Sequence, residues 1–99
     1  MPAYIISDVT IKDAEAIEIY RSRAAASIVD RGGRYLIRGG TIEVLEGDWT
    51  PRTIIMAEFP SMSAARIWYR SSEYAKALEV RDRALSRDLI LVEGVVPQT

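Results

Sequence analysis

GGRYLIRGGTIEVLEGDWTPR, residues 32–52, is the stretch whose reading decides the fold. Gly32 and Gly33 follow a long helical pattern, and glycine just past a helix end supplies the left-handed residue that satisfies the last carbonyls. The helix stops there. Tyr35, Leu36 and Ile37 then read as a strand. Gly39 and Gly40 break or bulge it, and residues 41–45 resume it with Ile42 and Val44 alternating before Glu46, Gly47 and Asp48 turn the chain. Pro51 cannot donate a ladder hydrogen bond, so it suits a strand entrance, and residues 53–59 form the next strand. The two strands pair most simply with each other.

Upstream, residues 3–11 (AYIISDVTI) carry apolar side chains on both parities, as a strand covered on both faces does. Asp13 is a candidate helix N-cap and Glu15 suits the first turn, where the dipole favours it. Ala14, Ile17, Ala24 and Ile28 fall at helical spacing behind them. Downstream, Pro60 and Ser61 mark a second helix start, and Ala64, Ala65, Trp68 and Tyr69 form its apolar stripe. The Ser71-Ser72 pair breaks that helix, and a further helical segment runs from Glu73 to about Ser86. Residues 88–96 (DLILVEGVV) form the last strand, closed by Pro97.

The order is βαββαβ over one domain, residues 1–99. This is the split arrangement of a ferredoxin-like α+β fold, with a four-stranded antiparallel sheet and helices on one face. The expected strand order is fourth, first, third, second. Apolar residues on both parities, Ile54 and Leu91 among them, leave the far sheet face in need of cover. A second copy of the chain supplies it most simply, so a homodimer joined through that face is expected.

Composition narrows the chemistry. The net charge of −1 argues against a nucleic-acid partner, and no apolar run approaches the ~20 residues of a membrane span. The N-terminus carries no export signal, so a cytoplasmic location is expected. With neither Cys nor His, a single chain has no thiolate nucleophile, no Ser-His-Asp triad and no ordinary zinc site. No metal or cofactor is expected, and acid–base work falls to carboxylates, tyrosines or lysine.

The segments GGRYLIRGG (32–40), VLEGDWTPR (44–52), AEFPS (57–61), WYRSSEY (68–74) and LVEG (91–94) resemble the bacterial family called domain of unknown function 1330. The resemblance covers almost the whole chain. It implies the dimeric α+β barrel superfamily, which also contains cofactor-free monooxygenases, muconolactone-isomerase-like enzymes and stress-responsive barrel proteins. It carries no catalytic residues with it.

Candidate site residues come from the strands. Asp8, Glu58 and Glu93 are single carboxylates amid apolar neighbours. Asp8 shares parity with Tyr4 and Ile6, Glu58 with Ile54 and Met56, Glu93 with Leu89 and Leu91, and Arg38 with Leu36. If these parities all face away from the helices, the acids and Arg38 converge there. Of Asp8 and Glu58, one then pairs with Arg38, and the other, lacking a cation, has a raised pKa and serves as general acid or base. Rim ion pairs satisfy the same pattern without chemistry. Trp49 lies on a polar loop where no periodicity buries it, whereas Trp68 reads as core. Arg38 or Arg52 can hold an acidic ligand group, with Tyr4, Trp49, Tyr35 and Tyr69 as further candidates for the wall of an apolar pocket. Two function classes stay open. One is a dimer that binds or, monooxygenase-like or isomerase-like, transforms a small apolar or acidic organic molecule without a cofactor. The other is a structural or regulatory homodimer with no substrate.

Overall fold

The computed structural model describes residues 1–96; Pro97, expected to close the last strand, lies outside them. Strand β1 (Ala3–Ile11) leads to helix α1 (Ala14–Asp30), which starts where the Asp13 carboxylate accepts from the Ala16 N–H at 2.6 Å. The helix ends in a Schellman motif: Gly33 N–H donates to Ile28 C=O at 2.8 Å and Gly32 N–H to Val29 C=O at 3.1 Å, with Gly32 at φ 82°. Gly33 is also a close-approach position, because a Cβ there would sit 2.7 Å from the Phe59 ring. The glycine pair thus ends the helix and lets β2 (Arg34–Arg38) leave tight against β3 (Ile54–Phe59).

Helix α2 (Met62–Tyr69) is capped by Ser61, and α3 (Ser72–Ala84) by Ser71. Ser71 serves both helices, donating to Trp68 C=O at 2.7 Å while accepting from Tyr74 N–H at 3.1 Å. The break expected at the serine pair is therefore a shared cap. Strand β4 (Leu85–Glu93) follows α3 with no intervening loop, three residues earlier than its sequence pattern indicated.

The sheet is antiparallel in the order β2-β3-β1-β4, as expected. Ala3, Ile5, Ser7 and Val9 of β1, Ala57 and Phe59 of β3 and Leu85 of β4 are buried beneath the helices. Trp68 is the centre of the aromatic core: it is 2% exposed, lies 5.3 Å from Phe59 and 4.2 Å from Tyr74 between ring centroids, and donates from Nε1 to Ser27 Oγ at 2.9 Å. The opposite parity, with Tyr4, Ile6, Ile54, Met56, Ile90 and Val92, forms the open sheet face.

Three expectations are corrected. Leu36 is the extra residue of a β-bulge: Tyr35 opposes Ala57, but Ile37 opposes Met56 and Arg38 opposes Ile55. Because one inserted residue inverts the parity beyond it, Ile37 turns to the open face and Arg38 to the helix side. Leu91 packs against the core with Leu89, so Leu91 and Glu93, which shares its parity, belong to the helix side as well. Finally, residues 41–45 form no strand. β2 ends at Arg38, no described strand offers this segment a ladder, and Ile42, Val44 and Leu45 are exposed.

Candidate functional site

A cavity of about 530 Å³ opens between the helix-facing side of the sheet and α1. Small residues make the room: Ser7, Ala24 and Ala57 stand on its walls where larger side chains would fill it, among apolar neighbours such as Ile5, Ile17 and Ile55. The polar wall is made of Tyr20 from α1, Tyr35 and Arg38 from β2, and Arg87 from β4.

Arg87 is the half-buried anchor of that wall. Its Nη1 donates to Tyr20 Oη and its Nη2 to Tyr74 Oη, each at 2.6 Å, and the two phenol oxygens are 2.6 Å apart. Burial, and then the neighbouring Tyr74, push the Tyr20 hydroxyl far above the ordinary phenol value, so it is neutral across the physiological range. Burial opposes the charge on Arg87, but the surrounding Tyr20 and Tyr74 oxygens outweigh it and the guanidinium pKa is raised. Arg38 lies with its guanidinium carbon 4.3 Å from the Tyr35 ring centroid, a cation–π contact at the exposed rim. Burial raises the Tyr35 pKa, against the opposing pull of Arg38 and, more weakly, Arg87.

Among the described residues neither Arg38 nor Arg87 has a carboxylate partner; Glu18, also on the cavity wall, pairs with Arg21 at 2.9 Å. Two guanidinium groups above an apolar pocket make a receptor for an anion with an apolar body.

Of the three acids expected at the site, Asp8 and Glu58 stand on the open face and Glu93 on the helix side, and none of them lines this cavity. Asp8 accepts from the Arg52 backbone N–H at 2.8 Å and from Trp49 Nε1 at 3.1 Å. The Arg52 N–H is the main reason its carboxyl lies below the ordinary aspartate value, with Trp49 and a weaker Coulombic pull from Arg52 acting in the same direction. Asp8 is therefore an anchor for the β2–β3 connection, without the raised pKa expected of an unpaired acid. Glu58 pairs with Arg34 Nε at 2.9 Å, where Arg38 was expected. Tyr4, opposite Glu58 across the β1–β3 ladder, has its pKa raised chiefly by hydrogen bonding to that carboxylate. So the structure brings Asp8, Trp49 and Arg52 together, and separately Tyr4 and Glu58, while Arg38 joins neither group.

The sequence reading missed Arg87, Tyr20 and Ser7. The signal for Arg87 was its parity: in register with Leu85, Leu89 and Leu91 it is a cation on the core-facing side of a strand, hidden by starting that strand at Asp88. Tyr20 sits three residues beyond Ile17 on the helix stripe, where its hydroxyl needs a polar partner once buried.

The antiparallel βαββαβ sheet, with its helices on one face and a cavity beneath them, defines a ferredoxin-like α+β protein. The family model described as domain of unknown function (DUF1330) matches residues 2–95, and the chain belongs to that family. No curated protein matches the sequence. Among solved structures, the chain is similar to a protein of unknown function from Rhodopseudomonas palustris, at 23% identity and TM-score 0.77 over 97% of this chain and 84% of that one. It is similar to SnoaB, a cofactor-independent oxygenase from Streptomyces nogalater, at 15% identity and TM-score 0.67 over 99% and 95%. A dimeric protein of unknown function with a ferredoxin-like fold from Bacteroides fragilis matches at 13% identity and TM-score 0.54 over 94% and 96%. At these identities the likeness is one of fold.

Proposed function

We propose that the protein is a cytoplasmic homodimer that holds a small organic anion with an apolar body in the cavity beside α1 and handles it without a cofactor. The observation that carries this reading is the pair Arg38 and Arg87, cations without a carboxylate partner among the described residues, on the wall of a cavity of about 530 Å³. A half-buried charge without a counter-ion is costly, and a ligand anion supplies what the chain does not. The fold shared with a cofactor-independent oxygenase is consistent with turnover in such a cavity.

Dimerisation rests on the other sheet face. Ile90 is 55% and Val92 41% exposed there, beside Ile6, Ile54 and Met56, and apolar faces of this kind mark contact sites. The dimeric Bacteroides fragilis protein of the same fold supports the assignment. A second copy on this face buries roughly 1,200 Å² or more in total, the range of specific interfaces. Asp8 and Glu58 then lie at or near that contact. Proton transfer by either would take place on a surface completed by the partner, apart from the arginine-lined cavity.

The substrate-free structural or regulatory dimer draws on Asp8 and Glu58, whose carboxylates already have protein partners. Calorimetry with 2-naphthoate and the isosteric, uncharged 2-naphthamide separates the two readings. Binding of the carboxylate at least tenfold tighter than the amide, lost in Arg87→Gln, supports an anion site, since one charge-assisted hydrogen bond contributes about 1.5 to 3 kcal/mol. Equal binding of both compounds, or of neither, contradicts it.

A further inference from the structure

Hydrogen-bond accounting inside the Tyr20–Tyr74–Arg87 cluster assigns a direction to its protons. Each phenol oxygen accepts one N–H from Arg87, so the 2.6 Å Tyr20–Tyr74 contact uses one phenol proton and leaves the other with no partner in the cluster. Tyr74 is fully buried at 0% exposure and does not line the cavity, whereas Tyr20 does. If Tyr20 donated to Tyr74, the leftover proton would belong to a buried hydroxyl with no further acceptor among the described residues, and an unsatisfied buried donor is strongly disfavoured. With Tyr74 donating to Tyr20, the leftover proton is on the cavity wall.

We infer that Tyr20 gives its hydroxyl proton as a hydrogen bond to the anionic oxygen of the bound ligand, with Arg87, which donates to the same phenol oxygen, as the positioning residue and Tyr74 outside the ligand's reach. The inference deepens the anion-site reading and rests on it. It makes Tyr20 a specificity-determining residue. A ligand whose anionic oxygen reaches Tyr20 meets a neutral donor backed by a cation, while a neutral, donor-only group at that point faces N–H and O–H groups with no acceptor to receive it.

The probe is 4-nitrophenol, whose ionised and neutral forms differ in absorbance, so its pKa can be read while bound. 2-Naphthoate serves as competitor to confirm the site. In the wild-type protein the bound probe should ionise at lower pH than in water. Tyr20→Phe should move that pKa back upward by about one unit, a tenfold loss of preference for the phenolate. Tyr74→Phe removes the same buried phenol–phenol bond but leaves the Tyr20 proton on the wall, and should change the preference by less than about twofold. Circular dichroism checks that both variants are folded. If Tyr20→Phe leaves the bound pKa where the wild type has it, or Tyr74→Phe shifts it equally, the proton assignment is overturned while the anion site stands. If the wild-type protein fails to bind the probe, or binds it with an unshifted pKa, the anion-site reading falls and takes the assignment with it.

Discussion

Asp8 shows how far a single residue can be read from sequence. Its place among apolar neighbours marked it as a carboxylate in need of a partner, and it has two, Arg52 N–H and Trp49 Nε1, both from the long β2–β3 connection. Neither was foreseeable, because contacts from an irregular loop leave no periodic trace. The consequence is a pH dependence with a definite sign. The folded pKa of Asp8 is depressed, so its ionised form favours the docked loop above the ordinary aspartate value of 3.8, and that contribution disappears as pH falls through the lower folded value. Trp49 fluorescence should therefore hold steady from neutral pH down to that region and change below it. In Asp8→Asn the acid-induced change should be absent; a Trp49 transition unaltered by the substitution would detach the loop from this carboxylate.

At the scale of elements, strict periodicity was legible and departures from it were not. The helix stripe of α2 placed Trp68 in the core, where its ring joins Phe59 and Tyr74 and its Nε1 ties α2 to α1 through Ser27. Trp68→Ala should cost about 3 to 5 kcal/mol in denaturant unfolding, as for other large buried aromatics. Trp49, 64% exposed on its loop, should cost much less when replaced by Ala; equal losses from the two substitutions would contradict this division. The bulge at Leu36 was not legible, because the glycine signal for a bulge stands at residues 39–40 and nothing in Tyr35, Leu36 or Ile37 marks which is unpaired. That single residue decides the candidate site, since it carries Arg38 from the face of the acids to the face of the cavity. The 41–45 segment failed for the opposite reason: Ile42 and Val44 alternate as a strand does, but alternation makes no strand without a neighbouring ladder.

For the whole molecule, strand order and the placement of the helices followed from the order of elements alone, because short connections and antiparallel pairing leave few topologies. The site did not follow, because it depends on what happens at the sheet's two faces, and residues on both parities were apolar. The structure separates the faces by chemistry. Beneath the helices lie small residues, tyrosines and two arginines that have no carboxylate partner among the described residues, around a cavity; on the far side lie apolar side chains with Asp8 and Glu58, which already have partners. We propose ligand binding at the first face and self-association through the second. A crystal structure of the complex with 2-naphthoate reads both assignments at once. The expected result is the carboxylate against Arg87 and Tyr20 with the naphthyl rings beside Ile5 and Ile55, and a second copy seated on Ile54, Met56 and Ile90. A ligand lying on the open sheet face beside Asp8 or Glu58, with the cavity beside α1 closed by rearranged side chains, would contradict it.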